Sequence, residues 1–131
     1  MHFKPSLDLS SANVLLSAAL AGAGERGVAV SIAVVDDAGE LLAFLRMDGA
    51  RSYTVDLASE KARGAAKLGL PTSVLESLSR KTASGNPWTR GGKPVLHERQ
   101  CAGAIGVSGA QPEIDEEIAE LAIASLDARP G

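Results

Sequence analysis

The sequence predicts a single-domain α/β (α+β) fold spanning residues 1–131, and three observations lead there. The first is length: 131 residues can bury a proper core without disulfide or metal staples. The second is composition: 45% hydrophobic and 22% charged residues mark a globular chain, not a disordered one. The third is the order of the patterned segments, which reads as helix, two strands, two helices, loop, two strands and a final helix.

The first helix is expected to be capped by Ser10 or Ser11 and to end at Gly27. Ala12, Leu15, Leu16, Ala19 and Ala23 share one of its faces. Val28 to Val35 reads as a strand, Asp36-Asp37-Ala38-Gly39 as a turn and Leu41 to Met47 as the returning strand. Val28, Val30, Ile32 and Val34 line one face of the first strand, and Ala29, Ser31, Ala33 and Val35 the other. Both faces are largely apolar, so one packs on helices and the other is covered by the chain itself or by another subunit. The middle helix runs from Thr54 to Leu68 and stops at Gly69. A short helix begins at Pro71-Thr72-Ser73, with Ser73 and Glu76 at capping-box spacing. Arg80 to Gly92 is polar and Gly-rich, which reads as a loop. Lys93 to His97 and Cys101 to Val107 are the last strands. The final helix opens at Pro112 with Glu113, Asp115, Glu116 and Glu117 near its start, where the helix dipole favours negative charge. Ile114, Ile118, Leu121 and Ala122 form its expected buried stripe.

Several partner classes are disfavoured. The net charge is −3, the isoelectric point is about 5.3, and no Lys/Arg stripe is present, so nucleic acid is not expected. Cys101 is the single cysteine, which rules out an internal disulfide or a thiolate-rich zinc site. No signal pattern opens the chain, and no apolar run approaches the roughly 18 residues of a membrane span. A cytoplasmic protein with no membrane partner is the expectation.

Three stretches carry a family resemblance. They are Ser31-Ile-Ala-Val-Val-Asp-Asp-Ala-Gly-Glu-Leu-Leu-Ala-Phe-Leu-Arg-Met-Asp-Gly-Ala50; then Glu60-Lys61-Ala62 followed by Gly69-Leu-Pro-Thr72; then Gly91-Gly-Lys-Pro-Val95, Gly103-Ala-Ile-Gly-Val-Ser-Gly109 and Asp115-Glu116. In this order the chain resembles the GlcG/HbpS (DUF336) family of haem- and small-molecule-binding domains. The resemblance implies a profilin-like domain, an antiparallel sheet flanked by helices. It also implies homo-oligomers (dimers, tetramers or octamers) and a haem-like or corrinoid-related ligand. Two segments depart from the family pattern. Ser84-Gly-Asn-Pro-Trp-Thr-Arg-Gly91 is short and polar, and Glu98-Arg99 stands where relatives turn with Asp-Gly. A type I′ turn needs positive φ at both central residues, so the final hairpin loop is expected to be rebuilt.

Lys61 is the most informative candidate residue. On a helical wheel it falls within the apolar arc formed by Leu57, Gly64 and Leu68, where a lysine must be paired, neutral or lining a cavity. It can serve as a base, a Schiff-base former or an anion anchor, or simply make one ion pair. His97 can ligate haem iron or act as a general acid or base, and Glu98 can act as a carboxylate base. Strand neighbours point to opposite faces, which argues against direct pairing of these two. Trp88 can lid a pocket or anchor a subunit contact, and Arg46 and Arg90 can meet a ligand carboxylate. Gly91 and Gly92 complete the candidate ligand-binding set. No metal-ligand cluster is visible, and a metal is expected only as haem iron on His97. Gly103, Gly106 and Gly109 lack the context of a nucleotide fingerprint and suit close packing.

The leading functional expectation is an oligomeric small-molecule or haem-like cofactor-binding protein with a pocket near the middle helix and the Gly-Gly loop. An alternative is a cofactor-independent isomerase, cyclase or lyase using Lys61 with His97 or Glu98. A structural or regulatory oligomer is the third reading, and it predicts an ion-paired Lys61 and no cavity.

Overall fold

The computed structural model describes residues 1–79 and 89–128. Four helices and four strands follow in the order α1 (Leu9–Glu25), β1 (Ser31–Asp36), β2 (Leu41–Arg46), α2 (Tyr53–Leu68), α3 (Thr72–Ser79), β3 (Gly92–His97), β4 (Gln100–Ser108) and α4 (Pro112–Asp127). The strands form one fully antiparallel sheet in the order β2-β1-β4-β3. This is the α+β architecture expected. Among the described residues no helix is long and apolar enough to cross a membrane.

The central strand β1 explains the layering. Val30, Ile32 and Val34 enter a core with Leu15, Ala19, Ile118 and Ala122, supplied by α1 and α4. Ala33 and Val35 face α2 instead, against Ala58, Ala62, Ala65 and Ala66. Both faces of β1 are therefore covered by the chain itself. The α2 interface is made of small side chains, so backbone meets backbone. At Gly106 a Cβ would collide with the Ala58 carbonyl oxygen and lie 2.7 Å from the Ala62 nitrogen. Only glycine fits that close approach.

Some boundaries differ from the sequence expectation. The α1 cap is Asp8, whose carboxylate accepts from the Ser11 N–H at 2.8 Å, not Ser10 or Ser11. Strand β1 begins at Ser31, not Val28, because the Val28 N–H is used to close the helix on the Ala23 carbonyl. The final hairpin is not rebuilt into a longer loop. His97 pairs with Gln100 across a two-residue turn in which Glu98 (φ 50°) and Arg99 (φ 69°) both adopt left-handed backbone. The turn keeps its length by straining two residues that carry a Cβ.

Candidate functional site

Lys61 is buried as its place in the apolar arc requires, with 2% of its surface exposed. Its ammonium donates to the Val107 carbonyl at 2.8 Å and to the Asp115 carboxylate at 3.3 Å. Asp115 is equally buried, and its other oxygen accepts the Ala110 N–H at 3.0 Å. Burial lowers the Lys61 pKa from its ordinary value, opposed by the attraction of Asp115. Burial likewise raises the Asp115 pKa, opposed by Lys61 and the backbone N–H groups of Ala110 and Gly109. The pair thus resists its own ionisation at both ends while geometry holds it together.

The Gly-Gly segment seals this pair. A Cβ at Gly91 would collide with the Val107 oxygen and lie 3.0 Å from both Lys61 Nζ and Asp115 Cβ. Gly92 packs as closely on the Lys61 backbone, and its N–H donates to the Thr72 hydroxyl at 2.9 Å. That hydroxyl donates on to the Thr89 carbonyl at 2.7 Å. These glycines are where they are because α2, β4 and α4 leave no room for side chains. Among the described residues Lys61, Gly91 and Gly92 pack directly against one another. Arg90 is exposed: its N–H donates to the Glu76 carboxylate at 3.2 Å, and its guanidinium lies 3.7 Å from Glu116. Glu76 therefore serves the Arg90 backbone as well as sitting at capping-box spacing from Ser73.

His97 and Glu98 lie at the other end of the sheet. His97 faces Gln100 on β4, whereas the Lys61 ammonium meets Val107, seven residues along the same strand. At strand rise that is about 20 Å. The structure does not bring Lys61 together with His97 or Glu98, so the acid/base set expected from them is not assembled within the chain. Exposed Arg46 donates through Nε to the Ala50 carbonyl at 2.9 Å rather than to Asp48, beside a cleft with Leu20, Leu45 and Met47. Trp88 lies outside the described residues.

The imidazole of His97 is exposed and makes no hydrogen bond to the described residues. It lines a cleft of about 550 Å³ whose walls are apolar at Leu7, Val95, Ala102 and Leu126 and polar at Ser6, Asp8, Ser11 and Asp127. Among the described residues no group of three or more His, Cys, Asp or Glu could hold a metal ion.

Sequence reasoning noted Asp115 and Thr72 in the family stretches but gave neither a place at the site. The signal for Asp115 was present: buried positions on α4 are Asp115, Ile118, Ala119 and Ala122, a stripe turned slightly from the one expected through Ile114 and Leu121. A carboxylate on that stripe, facing a lysine on the apolar arc of α2, is the pair. The family stretch ending at Thr72 did not reveal its partners, which are 17 and 20 residues away.

A four-stranded antiparallel sheet with helices on both faces makes this an α+β domain, and its buried Lys–Asp pair lies under a Gly-Gly strand start. The chain belongs to the family described as "Haem degrading protein HbpS-like", whose model matches residues 7–124. Protein GlcG of Escherichia coli K12 is 35% identical over 114 residues, covering 82% of this chain and 85% of GlcG. The crystal structure of Klebsiella pneumoniae ORFY, a DUF336 protein, superposes with a TM-score of 0.92 at 30% identity, covering 99% of this chain and 97% of ORFY. A PduOC–haem complex superposes with a TM-score of 0.85 at 26% identity, covering 92% and 94%.

Proposed function

We propose that this chain binds haem, or a small planar ligand like it, in the cleft beside His97, as one subunit of a homo-oligomer. The observation that carries the reading is an exposed imidazole, with no hydrogen-bond partner among the described residues, on the wall of a cleft of ligand size lined by apolar and polar side chains. A haem iron accepts a neutral imidazole nitrogen as an axial ligand. The donor set fits: His97 would hold the iron, Leu7, Val95, Ala102 and Leu126 would pack beside the ring, and Ser6, Asp8, Ser11 and Asp127 would meet the polar edge of the ligand. The similarity to a PduOC–haem complex supports the ligand class. At the other end of the sheet the Lys61 ammonium is engaged by Val107 and Asp115, so we place the ligand beside His97.

An ultraviolet–visible titration with haemin tests the reading. A Soret shift saturating at one haem per subunit, and lost in His97→Ala, is the expected result. No saturable shift sinks haem as the ligand. A shift retained in His97→Ala moves the site elsewhere.

A further inference from the structure

Strand β3 is an edge of the sheet, with β4 as its one neighbour. The Val107 N–H donates to the Gly91 carbonyl, so by alternation Gly92, Pro94 and Leu96 turn their backbone groups away from β4. The Gly92 N–H is taken by the Thr72 hydroxyl, and Pro94 has no N–H to offer. Of these three positions Leu96 alone keeps an outward donor. Such an edge suits a ligand that packs on it better than a strand that must hydrogen-bond to it.

A second cleft, of about 410 Å³, lies on this edge. Its walls are apolar at Pro71, Pro94, Leu96 and Ile123 and charged at Lys93, Glu120 and Asp127. It adjoins the His97 cleft, because Leu96 and Asp127 line both. Leu96 is 54% exposed where the two meet. The lysine on this wall is already committed: Lys93 donates to Glu120 at 2.9 Å and lies 3.8 Å from Glu116, which Arg90 shares at 3.7 Å. With Asp127 added, carboxylates outnumber cations here, so the cleft disfavours a ligand carboxylate.

We infer that the ligand held at His97 extends over Leu96 into this second cleft and lodges an uncharged, apolar edge there, its carboxylates directed away. The joined site selects a planar, amphipathic ligand that is charged on one edge only. Leu96 sets that specificity by packing under the ligand where the clefts meet. The inference rests on the proposed reading that the His97 cleft binds such a ligand.

Two probes test it: haemin, whose carboxylates share one edge, and iron coproporphyrin, which carries further carboxylates in place of the vinyl groups. The unaltered chain should bind iron coproporphyrin roughly tenfold more weakly than haemin, and Glu120→Gln should narrow the gap by strengthening coproporphyrin binding alone. This comparison needs no change to the fold. Leu96→Asp should leave the melting temperature nearly unchanged, since the side chain is half in solvent, and lower haemin affinity roughly tenfold or more. Equal affinity for the two porphyrins, or a Leu96→Asp chain that binds haemin as the unaltered one does, overturns the extension and leaves the His97 site standing. A Leu96→Asp chain that loses self-association but keeps its haemin affinity makes the cleft a contact between copies, which also overturns it. An unaltered chain that takes up no haemin overturns the binding reading and this inference together.

Discussion

Replacing Lys61 with Met should destabilise the fold severely, and in a way that acid relieves. The Lys61 ammonium lies 3.3 Å from the Asp115 carboxylate with both side chains at most 3% exposed. At an effective dielectric constant of about 20, two unit charges at that separation attract by about 5 kcal/mol. Deleting one partner leaves the other charge buried and uncompensated, a loss of about 3–5 kcal/mol. Lys61→Met strands Asp115, whose pKa is already raised by burial and now loses its main opposing attraction. Such a carboxyl binds its proton more tightly folded than unfolded. The penalty is therefore fullest at neutral pH and shrinks as pH falls through the folded value. Asp115→Asn strands Lys61, whose pKa is already lowered and falls further without its partner. That penalty shrinks as pH rises and the amine loses its proton. The double variant Lys61→Met/Asp115→Asn removes both charges and should recover about 2 kcal/mol or more of the summed single losses. Urea unfolding followed by far-ultraviolet circular dichroism, at acid, neutral and alkaline pH, reads all three. Single variants that lose under 1 kcal/mol, or that share one pH trend, would refute the account of the pair.

The strained hairpin turn should accept relief: Glu98→Asn with Arg99→Gly supplies residues suited to φ values of 50° and 69°, and should raise stability by about 1–2 kcal/mol in urea unfolding. No gain would mean that the side chains of Glu98 and Arg99 hold the turn by contacts of their own. Gly106→Ala pushes a methyl group into the Ala58 and Ala62 backbone and should cost about 3 kcal/mol or prevent folding, read as the yield and melting temperature of purified protein. A neutral result would show that α2 can lift from the sheet without loss.

The parts of the fold legible in the sequence were those with a local period. Ala58, Ala62 and Ala65 announced the buried face of α2, and the same wheel put Lys61 inside the protein. The alternating residues of β1 announced a strand covered on both sides. What stayed hidden was pairing at a distance. Asp115 is 54 residues from Lys61, and its place among four acids at a helix start already had an explanation in the helix dipole. Asp8 lost to Ser10 and Ser11 as a cap because three residues able to cap stand within four positions, and tertiary contacts choose among them. The hairpin turn defied its residues because β3 and β4 pair up to His97 and Gln100, leaving two positions for any turn at all.

The Lys–Asp pair also answers a problem set by the alanine-rich interface. Alanine and glycine let α2 approach the sheet closely, but their side chains are too small to interlock, so packing alone gives weak discrimination between neighbouring positions of the helix along β4. A lysine with one acceptable partner geometry supplies that discrimination. Its ammonium reaches the Val107 carbonyl on β4 and the Asp115 carboxylate on α4 together, while Gly91 at the start of β3 closes over both. One side chain therefore registers α2, β4, α4 and β3 against each other at a single end of the sheet. With that end locked, the proposed ligand cleft lies at the opposite end, where His97 is exposed and the turn is strained.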